Sequence, residues 1–362
     1  MAKSLKDQID DLMGKLSPGV TIGVDIGAHS IKVCELSGGP GKFKIERFGV
    51  FTLSEAALIE DEIQKPSEIT EGLLEALKSS GIKSRQVCLG LFGPNTMTKR
   101  LNVPEGSKEE IEDHILWEAE QYITFGADDS QIDFHIIGEN EGGGKDAIVA
   151  AAKNEIIESF NNVIKEAKLT TKVIDLNVLA LANVMEEVFG DQIDEYSQGT
   201  LLLDFGAQST KVIVYKRNAP IFTKEIPVGG SLVTEEIQRQ MGVSYEEAED
   251  LKTTIDDRGN LPQEILNIVN SQIDSQVAEV KKNINFYITQ GSAEKVEHCF
   301  VTGGSSLLPG LLEKLSIVTG LEVQRLDVLS AFKLNNKKLG ENSEQLAAIA
   351  PVVIGLAMRK VN

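Results

Sequence analysis

Short apolar bursts bounded by glycine turns alternate along this chain with stretches of helical period. The run Val20 to Val24, a turn over Gly27 to His29, and alternating Ile31 and Val33 predict strand, tight turn, strand. Leu201 to Leu203 followed by Val212 and Val214 predicts a second such hairpin. Cys299-Phe300-Val301 predicts a strand that runs into a Gly303-Gly304 turn, after which Pro309-Gly310 opens a helix reaching Thr319. From Val233 to Gly291 the pattern is almost wholly helical, with Ile265, Ile268, Val269, Ile273, Val277, Val280 and Ile284 on one stripe.

Ser107 and Glu110 form a capping box that starts a helix. Along it Ile111, Ile115, Leu116, Ala119, Tyr122 and Ile123 share a face, and Trp117 falls roughly 170° from the centre of that face. Leu5, Ile9, Leu12, Met13 and Leu16 predict a short amphipathic N-terminal helix. Residues 138–145 read as a hairpin tip.

Composition narrows what such a chain can do. At 362 residues and 41% hydrophobic, it can fill roughly two or three cores. The formal charge of -19 argues against nucleic acid and anionic lipid, both of which need clustered Lys and Arg. Cys34, Cys88 and Cys299 are widely spaced and odd in number, as expected of buried thiols in a reducing, cytoplasmic setting. The longest apolar run, Leu346 to Met358, is shorter than a bilayer span and holds Pro351 and Gly355, so no direct membrane insertion is expected. Walker, zincin, nucleophile-elbow and GxGxxG helix motifs are absent.

The two predicted hairpins are copies. Asp25-Ile26-Gly27-Ala28-His29-Ser30-Ile31-Lys32-Val33 matches Asp204-Phe205-Gly206-Ala207-Gln208-Ser209-Thr210-Lys211-Val212 with Asp, Gly, Ala, Ser, Lys and Val in register. Glycine lets a backbone turn sharply beside a ligand and aim successive N–H groups at phosphate oxygens, with Ser30, Ser209 and Thr210 as further donors. Asp25 and Asp204, ending their strands, suit a hydrated Mg²⁺. Gly303-Gly304-Ser305 before a helix N-terminus supplies a third glycine turn at which a phosphate, base or ribose can sit.

These residues resemble the ATPase superfamily of actin, DnaK-type chaperones and sugar kinases: two phosphate motifs, DIGAHSIKV and DFGAQSTKV, and an adenosine motif, VTGGSSLLPG. Leu101 to Pro104, the WEAEQYI segment of residues 117–123, Val149 to Glu155 and Val173 to Asn183 resemble the FtsA-like branch and, within it, the PilM family of type IV pilus assembly proteins.

The resemblance implies an α/β, actin-like fold of two duplicated halves around a nucleotide cleft, with an FtsA/PilM-type inserted α+β subdomain. The expected units are an extension (1–18), a first half (19–84, 166–200 and 335–362), the insertion (85–165), a second half (201–234 and 297–334) and a helical upper subdomain (235–296). It implies ATP or ADP with Mg²⁺ bound through water at Asp25 and Asp204, contacts from Gly27, Ala28, His29, Ser30, Lys32, Gly206, Ala207, Gln208, Ser209 and Thr210, and a catalytic group of Asp25, Asp175 and Asp204. Gly229, Gly230 and Ser231 match the ligand-contacting turn that enters the upper subdomain, Gly303, Gly304 and Ser305 the adenosine turn, and Glu249 and Lys252 a segment reaching ribose and base. Lys32 and Lys211 lie inside strands beyond the loops, so neither is expected to reach the transferred phosphoryl group, and hydrolysis is expected to be slow or partner-dependent.

The implied partner is the cytoplasmic N-terminal tail of a PilN-like inner-membrane protein, with Trp117, Tyr122 and Phe125 as contributors, alongside other pilus assembly proteins. Location would then be cytoplasmic, held at the inner membrane by protein partners; self-association stays open. Rival readings are an FtsA-like filament-forming membrane tether and a small-molecule kinase of the same fold.

Overall fold

The apolar segment Ile22–Ile26 is buried at every position, because it forms β1, a central strand with both faces covered. The computed structural model describes residues 21–139, 143–190, 199–216, 219–254, 261–289, 295–334 and 343–359; the predicted N-terminal helix lies outside them, as do residues 140–142 of the predicted hairpin tip. β1 turns back into β2 (Ser30–Ser37) and then β3 (Lys44–Thr52), both antiparallel steps. A small hairpin, β4 (Leu58–Ile59) and β5 (Glu62–Ile63), follows. β6 (Gln86–Leu91) lies parallel to β1.

The chain then leaves for a separate three-stranded sheet of β7 (Thr96–Val103), β8 (Ser130–Glu139) and β9 (Lys145–Lys153), ordered β7-β9-β8. It returns through helix Asn154–Glu166 as β10 (Thr170–Leu176), parallel to β6.

The second half repeats the first. β11 (Gly199–Phe205), β12 (Thr210–Lys216) and β13 (Ala219–Ile226) form an antiparallel meander, and β14 (Val296–Thr302) and β15 (Glu322–Arg325) add in parallel. The order β13-β12-β11-β14-β15 mirrors β3-β2-β1-β6-β10, so the sequence repeat is also a repeat of topology. A two-residue β16 (Lys333–Leu334) closes onto β3.

Helix Pro66–Ser80 covers one face of the first sheet with Ile69, Leu73, Ala76 and Leu77. Helix Pro351–Ala357, buried at every residue, covers the other. It lies so close to β1 that a Cβ on Gly23 would meet the Val353 carbonyl oxygen at 2.2 Å. The longest apolar run is therefore core: it joins Cys34 and Cys88 of the first sheet to Leu202, Ile213 and Tyr215 of the second in one cluster. Among the described residues no helix is long and apolar enough to cross a membrane.

The helical stretch after β13 resolves into Gly230–Met241, Tyr245–Thr253 and Gln263–Thr289. All seven residues of the predicted stripe are buried on the last of these, against the second sheet. On the inserted sheet lies helix Lys108–Glu120. Its capping box is formed as expected: Ser107 Oγ accepts from the Glu110 N–H, and the Glu110 carboxylate accepts from the Ser107 N–H at 2.8 Å. Ile111, Ile115 and Ala119 face the sheet, and Trp117 is 64% exposed.

Candidate functional site

Both repeated hairpins fold alike because their turns have the same length. Gly27 N–H donates to the Ser30 carbonyl at 3.1 Å, and Gly206 N–H to the Ser209 carbonyl at 2.9 Å. That closure sets the register, which pairs Asp25 with Lys32 and Asp204 with Lys211 across the strands. In an antiparallel ladder directly opposed residues share a face, so each lysine meets its aspartate. Lys32 Nζ lies 3.1 Å from Asp25 Oδ2, and Lys211 Nζ lies 3.2 Å from Asp204 Oδ2.

Strand period alone leaves the direction of these lysines open, and hairpin register points both at the aspartates. Asp25 and Asp204 are 6% and 5% exposed. Burial opposes the Lys211 charge, but Asp204, Glu225 and Asp25 outweigh it and raise its pKa.

The two hairpins face one another across a cleft of about 470 Å³, within the range of small-ligand and cofactor sites. Asp25, Gly27, Ala28, His29, Ser30 and Lys32 line one wall. Asp204, Gly206, Ala207, Gln208, Ser209 and Lys211 line the other, and Gly230, Glu249, Lys252, Gly303, Gly304 and Ser305 complete it.

Gly303 has a φ of +88°, and a Cβ there would stand 2.2 Å from the Phe205 carbonyl oxygen; only glycine lets this turn press against the end of β11. Ser305 Oγ donates to the Gly206 carbonyl at 2.7 Å, tying the third glycine turn to the second hairpin. Lys252 Nζ lies 2.6 Å from Glu249 Oε1 and 2.8 Å from Thr234 Oγ1. Burial pushes the Glu249 carboxyl up, yet Lys252 and the Thr234 hydroxyl hold it below the usual range; burial lowers the Lys252 pKa despite Glu249. His29 is lowered by burial, with Lys252 and Lys32 reinforcing and Glu249 opposing.

Four predicted residues do not line this cleft. Asp175, placed by the sequence reading in the catalytic group, is turned aside: its Oδ2 accepts from Arg359 Nε at 2.6 Å and its Oδ1 from the Leu176 N–H. The position that enters the cleft is Asn177, two residues on, whose Nδ2 donates to Asp25 Oδ1 at 3.4 Å. Its Oδ1 is buried without a partner.

Thr210 is fully buried and donates to the Val228 carbonyl, while Gly229 and Ser231 support the second hairpin from behind through the Ser231 N–H to the Ala207 carbonyl, 2.8 Å. Sequence reasoning also missed the apolar wall of Leu308, Leu346, Ile349 and Val352, whose residues belong to segments about 40 positions apart.

Among the described residues no group of three His, Cys, Asp or Glu side chains could by itself hold a metal ion. Asp25 and Asp204 instead suit a cation held chiefly by ligand oxygens and water.

Trp117, Tyr122 and Phe125 sit on the inserted subdomain, away from the cleft. Trp117 and Tyr122 are exposed, and Lys99 Nζ stands 4.6 Å from the Tyr122 ring centroid. The three cysteines are free and buried, and burial raises all three thiols, Cys299 to about 12.

The PilM-PilN type IV pilus biogenesis complex superposes with a TM-score of 0.83 at 24% identity, covering 96% of this chain and 100% of that one. Ethanolamine utilization protein EutJ from Carboxydothermus hydrogenoformans follows at a TM-score of 0.58 and 17% identity, over 95% and 90% of the two chains. The fold is that of the actin-like ATPases. A family model described as type IV pilus assembly protein PilM matches residues 23–361. The chain belongs to the PilM family of type IV pilus assembly proteins.

Proposed function

We propose that this chain is a cytoplasmic, nucleotide-binding scaffold of type IV pilus assembly, which takes Mg·ATP or Mg·ADP in the cleft and binds the N-terminal tail of a PilN-type inner-membrane protein. The observation that carries the nucleotide reading is the facing pair of hairpins, each bringing a glycine turn and a buried aspartate paired with a lysine to one cleft. Lys32 and Lys211 supply positive charge to phosphates in a protein whose overall charge is -19, so attraction is local.

A bound Mg²⁺ would neutralise phosphate charge, with Asp25 and Asp204 holding its water shell. Asn177 supports that role from its amide, whose Nδ2 donates to Asp25 Oδ1 at 3.4 Å and so positions the carboxylate, while its Oδ1 packs against Gly90. Gly303 and Gly304 leave room for a flat base against the apolar wall, and Glu249 and Lys252 face it from the upper helices.

The tail reading draws on the solved complex, in which PilM is paired with PilN. An exposed Trp117 suits it, because tryptophan is enriched where interfaces concentrate their energy. Titration of the purified chain with a synthetic PilN-type N-terminal peptide tests it. Saturable binding lost in Trp117→Ala supports the site, and full affinity in that variant removes Trp117 from it.

A further inference from the structure

In the second sheet the Asp204–Lys211 pair continues into a third residue: Lys211 on β12 stands directly opposite Glu225 on β13. The first sheet shows what that position needs structurally. Its equivalent, opposite Lys32 on β3, is Val50, which also lines the cleft. An acid is therefore not demanded by the repeated fold.

Glu225 is nevertheless fully engaged. Its Oε1 accepts the Ser209 hydroxyl from the tip of the second hairpin, and its Oε2 accepts the Gly93 N–H at 3.0 Å. A hydroxyl and a backbone amide thus donate to one carboxylate, with the Lys211 ammonium on the opposite strand position adding nearby positive charge, surroundings that resemble those of a bound phosphate oxygen.

Gly93 belongs to the link between β6 and β7, the root of the inserted sheet. Asp61 fixes the same link, accepting from the Asn95 N–H at 2.9 Å. β13 meets the inserted sheet a second time at Thr223 and Thr98, whose hydroxyls are 3.1 Å apart.

We propose that Glu225 is a built-in counter-ligand: its carboxylate occupies the Ser209 hydroxyl, a donor that a nucleotide phosphate uses at the second hairpin, and phosphate binding displaces it, freeing Gly93 at the root of the inserted sheet. This rests on the cleft being the nucleotide site. The competition follows from proton count. Ser209 has one hydroxyl proton and serves either Glu225 or a phosphate oxygen at a given moment. A phosphate beside Lys211 also brings like charge against Glu225, which favours its departure.

The test compares Mg·ATP binding to the full chain, to Glu225→Gln and to Glu225→Val, the latter borrowing the first half's residue. Removing the competitor should tighten binding roughly five- to tenfold, about the net worth of one hydrogen bond. A Glu225 that merely supports the fold predicts weaker binding instead. In the wild type, amide exchange over residues 92–98 should speed up on nucleotide binding; in Glu225→Val it should start fast and stay so.

Equal or weaker binding by both folded variants overturns the proposal. Should the variants not fold, the wild type decides, and nucleotide binding without faster exchange at 92–98 overturns it as well. If neither wild type nor variants bind nucleotide, the nucleotide reading itself fails and this proposal with it.

Discussion

Lys211 of the second half lies 3.2 Å from Asp204 Oδ2 and 5.4 Å from the ring centroid of Phe92 in the first half. A cation held by a buried carboxylate in one half and an aromatic ring in the other makes this side chain a bridge across the cleft. Removing one partner of a buried ion pair leaves the other charge uncompensated. Asp204→Asn should therefore cost about 3 kcal/mol, while the double variant Asp204→Asn with Lys211→Met recovers much of the loss. A urea-unfolding double-mutant cycle checks this, and strictly additive losses would count against the pairing.

The Arg359–Asp175 contact predicts a separation of roles. Asp175→Asn should lower the melting temperature and leave nucleotide affinity unchanged, because that carboxylate is taken up by Arg359 outside the cleft. Asn177→Ala should weaken Mg·ATP binding roughly fivefold, the worth of one hydrogen bond. Calorimetric titration of the two variants decides between them; the opposite outcome would return Asp175 to the site.

The same pair shows where sequence reasoning stopped. Asp175 and Arg359 are separated by 184 positions, and nothing in the periodicity of either segment links them. The hairpins were legible because their chemistry is local: strand, glycine turn, strand, in two copies. The orientation of Lys32 and Lys211 was also local in principle, since the turn closure of Gly27 on Ser30 places Asp25 opposite Lys32. It was missed by treating each strand alone. Trp117 and the Ser107 cap followed from helical period and capping rules, whereas Glu225 and Gly93, 132 positions apart, meet only when the inserted sheet rests on β13.

His29 carries a pH dependence. Its pKa is lowered in the folded chain, chiefly by burial, so between the folded and unfolded values the unfolded chain binds more protons. Its contribution is fully present above its unfolded value near 6.5 and is lost as pH falls through the folded value. Melting temperatures at pH 7.5 and 5.5, compared between wild type and His29→Asn, should show a smaller acid loss in the variant. An equal loss would exclude His29 as a contributor.

Gly303→Ala should destabilise by roughly 2 kcal/mol or more, since its positive φ and the Phe205 carbonyl 2.2 Å from the added Cβ both resist the change. Trp117→Ala should stay within about 0.5 kcal/mol of wild type, as an exposed side chain away from the core. Thermal melts of the two variants test the contrast between a built turn and a surface aromatic.

On the proposed reading a nucleotide is held by local contacts in an acidic protein. Calorimetric titration with ATP, run with Mg²⁺ and with EDTA at two salt concentrations, addresses it directly. One nucleotide per chain should bind, with affinity that falls sharply on chelation and changes little with salt, because the contacts are short and sheltered from screening. Absence of saturable heat or of any melting shift at millimolar Mg·ATP would contradict the account.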